Sequence, residues 1–389
     1  MRSRVAFWMA LGSLFVLMVA ACGNGSTSTA TGTGMSSDQL AQVKDLVAKA
    51  KAVPTFNAPG PAVNVGSLKG KKIFLIQEIP NDFNSVIQNA MKTIADQAGL
   101  NMTIYTNQGQ VSQWVQGMNE GIAQKPDLII LNLAPDPRSL QPQIAAAKAA
   151  GIPVLVTHFY DDSSVLPPSC EGCASGVTAL VTAPFNKAEG SMADWVIADS
   201  GGNATVLVPT VEALPTAGMV SAIQAEFQKY CPSTCPVKVV TIPIANLATN
   251  QLQQQIQSEL LANPKINYII DQIDAMSPAT LAAIRTTQRT GKVKVLGYNG
   301  SLFALQYLQS SSDSKIFAAD AGESTDWIAY ANMDQAFRLI AGMQPAAERT
   351  PSRIIDTTNV SDAGNPPVLT KGYGSDYVTG FKKLWGLTQ

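Results

Sequence analysis

The sequence predicts an α/β protein made of two doubly wound parallel sheets in tandem. From Lys71 onward, short apolar runs of strand length alternate with segments of helical period, a pattern typical of parallel strands joined by crossover helices. The alternation restarts near Lys187, after a stretch rich in turn residues, so two lobes are expected. The 389 residues are enough for two domains of ordinary size.

The first alternation predicts four strands and three helices. The strands are apolar runs of the kind that is buried on both faces of a sheet, and Gly99 and Gly151 mark helix ends. The predicted order is strand 73–76, helix 84–98, strand 102–105, helix 111–124, strand 126–131, helix 139–150 and strand 152–157.

The second alternation begins with a helix that the pair Gly201 and Gly202 ends. Ligands of such sheets bind outside the carboxyl ends of the strands, so two facing lobes predict a cleft lined by two sets of strand ends. The predicted order is helix 187–200, strand 204–208, helix 216–229, strand 237–244, helix 249–262, strand 268–270, helix 278–290 and strand 293–298.

The N-terminus predicts export. Arg2 and Arg4 precede an apolar run over 5–19, and small residues then lead to Cys22. This run is shorter than the roughly 20 residues of a bilayer span. A cysteine after the small residues resembles the lipobox of bacterial lipoproteins, which implies removal of residues 1–21 and a lipid on Cys22. An ordinary signal peptide with an incidental cysteine and a transmembrane anchor are the alternatives.

Residues 22–64 are expected to form a tether and an N-terminal extension. The Ser/Thr/Gly-rich stretch 23–37 cannot bury apolar surface and predicts a flexible tether. A short amphipathic helix over 38–52 should follow, capped by Ser36 or Ser37 and ended by Pro54.

The charge balance argues against a nucleic-acid partner. Removing residues 1–21 lowers Lys+Arg from 27 to 25 against 28 Asp+Glu, so the mature net charge is 25 − 28 = −3. This leaves no basic footprint for nucleic acid. With 46% apolar and 14% charged residues, the chain is expected to be a soluble protein with a large apolar core.

Four cysteines remain if Cys22 carries lipid, and an even count in an exported protein suggests disulfides. Three pairings are possible, and the local pairs Cys170–Cys173 and Cys231–Cys235 are favoured because each lies in a turn-rich segment. A zinc site or a redox-active pair is the alternative.

Three motifs, in this order, resemble those of type I periplasmic solute-binding proteins, in particular the ribose- and sugar-binding components of ABC importers. They are Ile79-Pro80-Asn81-Asp82-Phe83-Asn84 after the first strand, Ala147-Lys148-Ala149-Ala150-Gly151-Ile152-Pro153-Val154, and Val295-Leu296-Gly297-Tyr298-Asn299-Gly300. The resemblance covers about residues 70–345. It implies a hinge with three crossovers, an N-lobe of 65–182 plus 323–350, and a C-lobe of 183–322 plus 351–389 on which the tail 377–385 packs.

The resemblance also implies a ligand site at the loop after the first strand. Phe83 would offer an apolar face to sugar C–H groups, and Asn81 and Asn84 would bind hydroxyls. Helix capping by either asparagine, and plain core packing of Phe83, are the alternatives.

Further candidates follow later strands. His158 and Phe159 stand where ribose-type proteins place an Asp-Arg pair, which puts ribose itself in doubt. His158, the only histidine, would hydrogen-bond a polyol and Phe159 would stack on it. Asp274, Asn299 and Glu323 stand at other positions that reach the ligand in the family, although Asp274 could instead cap a helix.

These inferences predict a lipid-anchored, extracytoplasmic and monomeric receptor that delivers a small solute, most simply a sugar or polyol, to an ABC permease. A receptor for a nucleoside, amino acid or aromatic acid, or a ligand-presenting sensor, is the alternative. An enzyme is not expected because one histidine has no Gly-x-Ser-x-Gly partner, and neither a metal nor a cofactor is expected.

Overall fold

The computed structural model describes residues 35–133, 135–163, 175–211, 216–243, 246–247 and 249–387. In the described part of the chain, a leading helix is followed by two parallel-sheet lobes, as the sequence predicts. The leading helix and the N-lobe elements are α1 (Ser37–Lys51), β1 (Lys72–Gln77), α2 (Asp82–Gln97), β2 (Asn101–Tyr105), α3 (Val111–Gln124), β3 (Leu128–Asn132), α4 (Gln141–Ala149), β4 (Val154–Asp161) and β5 (Ala179–Ala183).

The N-lobe sheet has the order β2-β1-β3-β4-β5, and all its paired strands are parallel. The chain then continues through α5 (Phe185–Ser200), β6 (Val206–Val211), α6 (Thr216–Tyr230), β7 (Val237–Ile242), α7 (Asn250–Ala262), β8 (Tyr268–Ile270), α8 (Ser277–Thr286), β9 (Lys294–Asn299), α9 (Leu302–Gln309), β10 (Phe317–Glu323), α10 (Thr325–Ile340), β11 (Ser352–Asp356) and α11 (Asp376–Leu384).

The C-lobe sheet has the order β11-β10-β9-β8-β6-β7, with β11 antiparallel to β10 and the other pairs parallel. Apolar side chains are buried on both faces of each sheet. This explains why the strands are continuous apolar runs, and it fixes the carboxyl ends of the strands at one edge of each sheet.

Three central segments join the sheets, between β5 and α5, between β10 and α10, and before β11. Helix α10 packs on α2 and on the N-lobe core, so the chain returns to the N-lobe after β10. Backbone hydrogen bonds tie the first and third segments together: the Thr182 amide donates to the Glu348 carbonyl (3.1 Å) and the Thr350 amide donates to the Thr182 carbonyl (3.2 Å).

The expected position of the C-terminal tail is wrong. Tyr377, Phe381 and Trp385 belong to the N-lobe core, where Tyr377 and Trp385 stack on Trp327 and Tyr330 of α10 at centroid distances of 4.5 and 5.4 Å. The apolar face of α11 therefore packs on α10 of the N-lobe, and the predicted C-lobe segment 351–389 ends near residue 375.

The leading helix is confirmed. Ser36 is its N-cap, and a capping box with Gln39 satisfies the first backbone donors. Val43 is buried in the C-lobe core, so α1 packs on the opposite lobe from α11.

Several predicted features lie outside the described residues, namely Cys22, the signal segment 1–21, most of the tether, Cys170 and Cys173. Cys231 and Cys235 are joined by a disulfide. In the part of the chain that the structure describes, no helix has the length and apolar character needed to cross a membrane.

Candidate functional site

Strand ends from both lobes converge on one pair of side chains. His158, in β4 of the N-lobe, places Nε2 3.1 Å from Oε2 of Glu323, the last residue of β10. His158 has φ 55°, and Leu133 and Asn299, at the ends of β3 and β9, have φ 55° and 123°. Left-handed backbone at non-glycine residues is costly and is concentrated at functional sites. Of the five such residues in the described chain, the other two, Lys125 and Gln288, follow helices, so the three that do not follow helices lie at this edge of the two sheets.

The Glu323 carboxylate is fully buried and links three segments of the chain. The Tyr298 hydroxyl donates to Oε2, and the Thr350 hydroxyl donates to Oε1 at 3.4 Å. Burial, followed by the charge of Glu323, raises the pKa of Tyr298 well above its usual value, so this hydroxyl stays a donor. His158 Nε2 is buried close to Glu323 and forms no hydrogen bond within the described residues.

Aromatic rings surround His158 from both lobes. The Phe185 ring, at the start of α5, meets the His158 ring edge-on at 5.3 Å and the Tyr298 ring at 5.9 Å. The Phe83 ring lies 6.3 Å from His158. Phe185 was not predicted from the sequence, although its position directly after Pro184, where the second lobe begins, was an available signal.

Phe159 is the residue from which the sequence predicted the second aromatic face. It is buried in the N-lobe core beneath α3 and α4, and its ring packs edge-on against Tyr160 at 4.9 Å. The pairing of β4 with β5 shifts register between Thr157 and Asp161, and in this irregular stretch His158 and Phe159 contact different sets of residues. Phe185, which is also part of the C-lobe core, is the ring that the structure places edge-on against His158.

Glu78 is a second residue that the sequence analysis missed. It follows the last residue of β1, and its backbone carbonyl accepts a hydrogen bond from Trp114 Nε1 at 3.0 Å. Burial raises the pKa of its carboxyl group to about 7, against the opposing influence of His158 and a hydrogen bond from Asn84. Near neutral pH this group can therefore either donate or accept a hydrogen bond.

The two asparagines of the first loop have structural contacts. The Asn81 side chain caps α2 by accepting from the Asn84 amide at 2.8 Å. Asn84 is buried, and its Nδ2 donates to the Ile79 carbonyl at 2.7 Å. Asn81 is exposed, so of the two Asn84 has the closer link to the cleft, through Glu78.

Asp274 and Asp320 hold the turn that presents Asn299. Asp274 Oδ2 accepts from the Ser301 amide at 2.7 Å, and Asp320 Oδ1 accepts from the Gly300 amide at 2.9 Å. Both carboxyl groups are buried, which raises the pKa of Asp320 to about 6; burial, followed by the charge of Asp320, raises the pKa of Asp274 well above its usual value. Asp274 makes no cap to its own helical turn. Its contacts position the strand end that carries Asn299.

Two further features of the described residues concern metal binding and a cavity outside the cleft. No group of three or more His, Cys, Asp or Glu residues there is placed to hold a metal ion. A surface cavity of about 470 Å³ lies between α6 and the start of β7, at the amino end of that strand and away from the cleft.

Comparison with known proteins agrees with this architecture. Residues 73–344 match the family model described as periplasmic binding protein domain. The chain therefore belongs to the periplasmic binding protein family. The match to the model ends before β11 and α11 and begins after α1. No curated protein sequence matches the chain.

Solved structures share the fold at low sequence identity. A periplasmic solute-binding protein of Actinobacillus succinogenes 130z with bound D-allose has a TM-score of 0.64 and 19% identity, covering 75% of this chain and 99% of its own. One from Agrobacterium vitis with bound allitol has a TM-score of 0.64 and 21% identity, covering 77% and 99%. A sugar ABC transporter structure from Yersinia enterocolitica has a TM-score of 0.65 and 19% identity, covering 85% and 99%.

Proposed function

We propose that this chain is a lipid-anchored extracytoplasmic receptor that captures a sugar or polyol between its lobes and delivers it to an ABC import permease. The observation that carries the proposal is the meeting of His158 and Glu323 from opposite lobes, flanked by Phe83 and Phe185. Aromatic faces suit sugar C–H surfaces, and carboxyl, imidazole and amide groups suit hydroxyls.

Ligand capture would work by lobe closure without chemical change in the solute. A ligand that contacts both lobes favours the closed state by its higher affinity for that state. In this proposal Phe83, Asn84 and His158 act from the N-lobe, and Phe185, Asn299 and Glu323 act from the C-lobe or the hinge. Glu78 adds a carboxyl group that is able to donate a hydrogen bond to a hydroxyl near neutral pH.

The solved relatives support the solute class, because two of them hold D-allose and allitol. A permease partner follows from the same transport role. Attachment through lipid on Cys22 is proposed from the lipobox resemblance, and a monomer is the simplest form that satisfies the mechanism. We also expect the Cys231–Cys235 disulfide to form in the oxidising compartment to which the signal would direct the chain.

A thermal-shift screen of the soluble chain, from Ser36 onward, tests the solute class against pentoses, hexoses, polyols, nucleosides and amino acids. A ligand at about 100 times its Kd should add about 2.7 kcal/mol of stability. A hit among sugars or polyols supports the proposal. A hit only among nucleosides or amino acids would replace the solute class and keep the receptor role, and silence throughout would count against both.

Two variants test whether the ligand found in the screen binds in the cleft. His158→Asn removes the imidazole but tolerates the left-handed backbone, since asparagine adopts positive φ more readily than most residues. It should weaken binding at little cost to the melting temperature of the free protein. Leu261→Ala, on an exposed helix of the C-lobe, is the control and should change neither.

The lipid anchor needs a separate experiment in cells. Metabolic labelling with a fatty-acid analogue should mark the wild-type chain, and Cys22→Ser should abolish the label. Label on the variant would assign the lipid elsewhere, and an unlabelled wild type would favour an ordinary signal peptide.

A further inference from the structure

Two chain segments besides the three central crossovers connect the lobes. Residues 52–62 lead from α1, on the C-lobe, to the N-lobe core that begins at Val63. Residues 373–376 lead from Tyr373, in the C-lobe core, to α11 on the N-lobe. Both segments lie outside residues 73–344, and we refer to them together as the terminal clasp.

The N-lobe end of the clasp is held by an aromatic contact. The Phe56 ring lies 4.8 Å from that of Phe381 and 6.3 Å from that of Trp327, and its backbone amide donates to Asp376 Oδ2 at 3.2 Å. Gly380 makes room for this contact, because a Cβ atom there would overlap the Phe56 ring. The first segment is therefore fitted against the helix that the second segment leads into.

Two further hydrogen bonds fix the first segment where it enters the N-lobe. Arg338 Nη1 donates to the Pro61 carbonyl at 2.8 Å, and the Val63 amide donates to the Leu384 carbonyl at 2.8 Å. Arg338 is itself held by a buried ion pair with Asp334 at 2.6 Å. These donors come from α10 and the segment itself, so the attachment involves the body of the lobe.

The C-lobe end of the clasp is held by Arg353, near the start of β11. Its Nε donates to the Lys51 carbonyl at 2.8 Å, its Nη1 donates to the Gly372 carbonyl, and its Nη2 pairs with Asp362 at 2.7 Å. Lys51 adds an ion pair to Asp356 at 2.7 Å. One guanidinium group thus ties both segments to the strand that follows the third central crossover.

We propose that the terminal clasp stiffens the hinge and limits how far the lobes separate when no ligand is bound. When the lobes separate, each clasp segment must stretch or detach because it is fixed at both ends. Together with the three central crossovers, the two segments also oppose rotation of one lobe relative to the other. The free protein then samples a narrower range of opening angles than the same lobes would without the clasp, and it still closes further when a ligand binds. Such preorganisation raises the apparent affinity by reducing the share of molecules in states unable to bind.

The test cuts the clasp and measures the distance between the lobes. A protease site is inserted between Ala52 and Val53, which are both exposed and lie between α1 and Phe56, and the matched control carries the same site between Thr290 and Gly291, an exposed turn of the C-lobe. Spin labels introduced through non-natural amino acids at Glu120 of α3 and Leu261 of α7 report the distance by pulsed electron resonance.

Cleavage at 52/53 should lengthen and broaden the ligand-free distance distribution, and cleavage of the control should leave it unchanged. The same distribution before and after cleavage at 52/53, with unchanged circular dichroism, would overturn the proposal. Because no ligand is present, this result is independent of the solute class proposed above.

A substitution gives a second measurement without cleavage. Phe56→Ala should broaden the distribution in the same direction, whereas Phe303→Ala, a half-buried phenylalanine of the C-lobe outside the clasp, should not. Equal broadening by both variants would show general loosening of the lobes and would count against the clasp.

Discussion

Phe185 and Phe159 offer a direct test of which ring belongs to the ligand site. Both side chains are 5% exposed, so their burial is the same. Phe185 meets His158 and Tyr298 at the cleft, whereas Phe159 packs within the N-lobe core. Substitution by leucine keeps most of the apolar volume and removes the ring in each case.

The two variants should lose similar stability but differ in binding. A volume-conserving swap in a packed site costs less than about 1.5 kcal/mol. A ring contact contributes about 0.5–1.5 kcal/mol beyond the area that it buries, which corresponds to a roughly 2- to 12-fold change in Kd. Phe185→Leu should therefore weaken binding of the screened ligand by about this factor, and Phe159→Leu should leave Kd within about twofold.

Isothermal titration calorimetry gives Kd, and chemical denaturation followed by circular dichroism gives the stability of each variant without ligand. Equal loss of affinity in both variants would refute the assignment of Phe185, because the effect would then reflect loosening of the fold. Loss confined to Phe159→Leu would restore the sequence-based assignment.

Three further predictions concern stability. Burial raises the pKa of Glu78 from 4.5 to about 7, so the folded state binds more protons than the unfolded state between these pH values, and stability falls as pH rises through them. Glu78→Gln should remove this fall, which amounts to a difference on the order of 2 kcal/mol between denaturant titrations at pH 4.5 and pH 7. An equal fall in the wild type and the variant would contradict the prediction. Trp385→Ala should lower the free energy of unfolding by about 3–5 kcal/mol because it removes one ring of a buried aromatic stack. The control Leu261→Ala, at a residue that is 73% exposed, should change it by no more than about 0.5 kcal/mol, and similar losses in both variants would contradict the position of α11. Replacing Cys231 and Cys235 by alanine should cost about 2 kcal/mol, the chain-entropy value for so short a loop, and a melting temperature insensitive to reductant in the wild type would show that the bond contributes nothing.

The two-lobed fold could be predicted because parallel strands leave a strong local signal. Runs such as 73–76 and 126–131 are apolar throughout, and each is followed by turn residues and a helical period. β5, β10 and β11 left a weaker signal, since β10 carries Asp320 and Glu323 within its length. The position of α11 could not be predicted because its apolar face fits either lobe until the partner, α10, is known.

The site was predictable in part for a similar reason. Asn299 and Glu323 stand at strand ends, and His158 lies in the irregular second half of β4, where the fold class directs attention. Phe185 and Tyr298 lie at the start of α5 and near the end of β9, but the local sequence does not distinguish a ring that packs beside His158 from one that only fills the core. Nothing in the local sequence distinguishes Glu78 from other glutamates, because its raised pKa comes from burial in the folded chain.

The most direct test of the account is the change in lobe separation when a ligand binds. Small-angle X-ray scattering of the soluble chain, with and without the sugar or polyol found in the screen, measures the radius of gyration in both states. The account predicts a smaller radius with ligand in the wild type and a reduced response at the same ligand concentration in His158→Asn. Saturated binding with an unchanged radius would contradict capture by lobe closure.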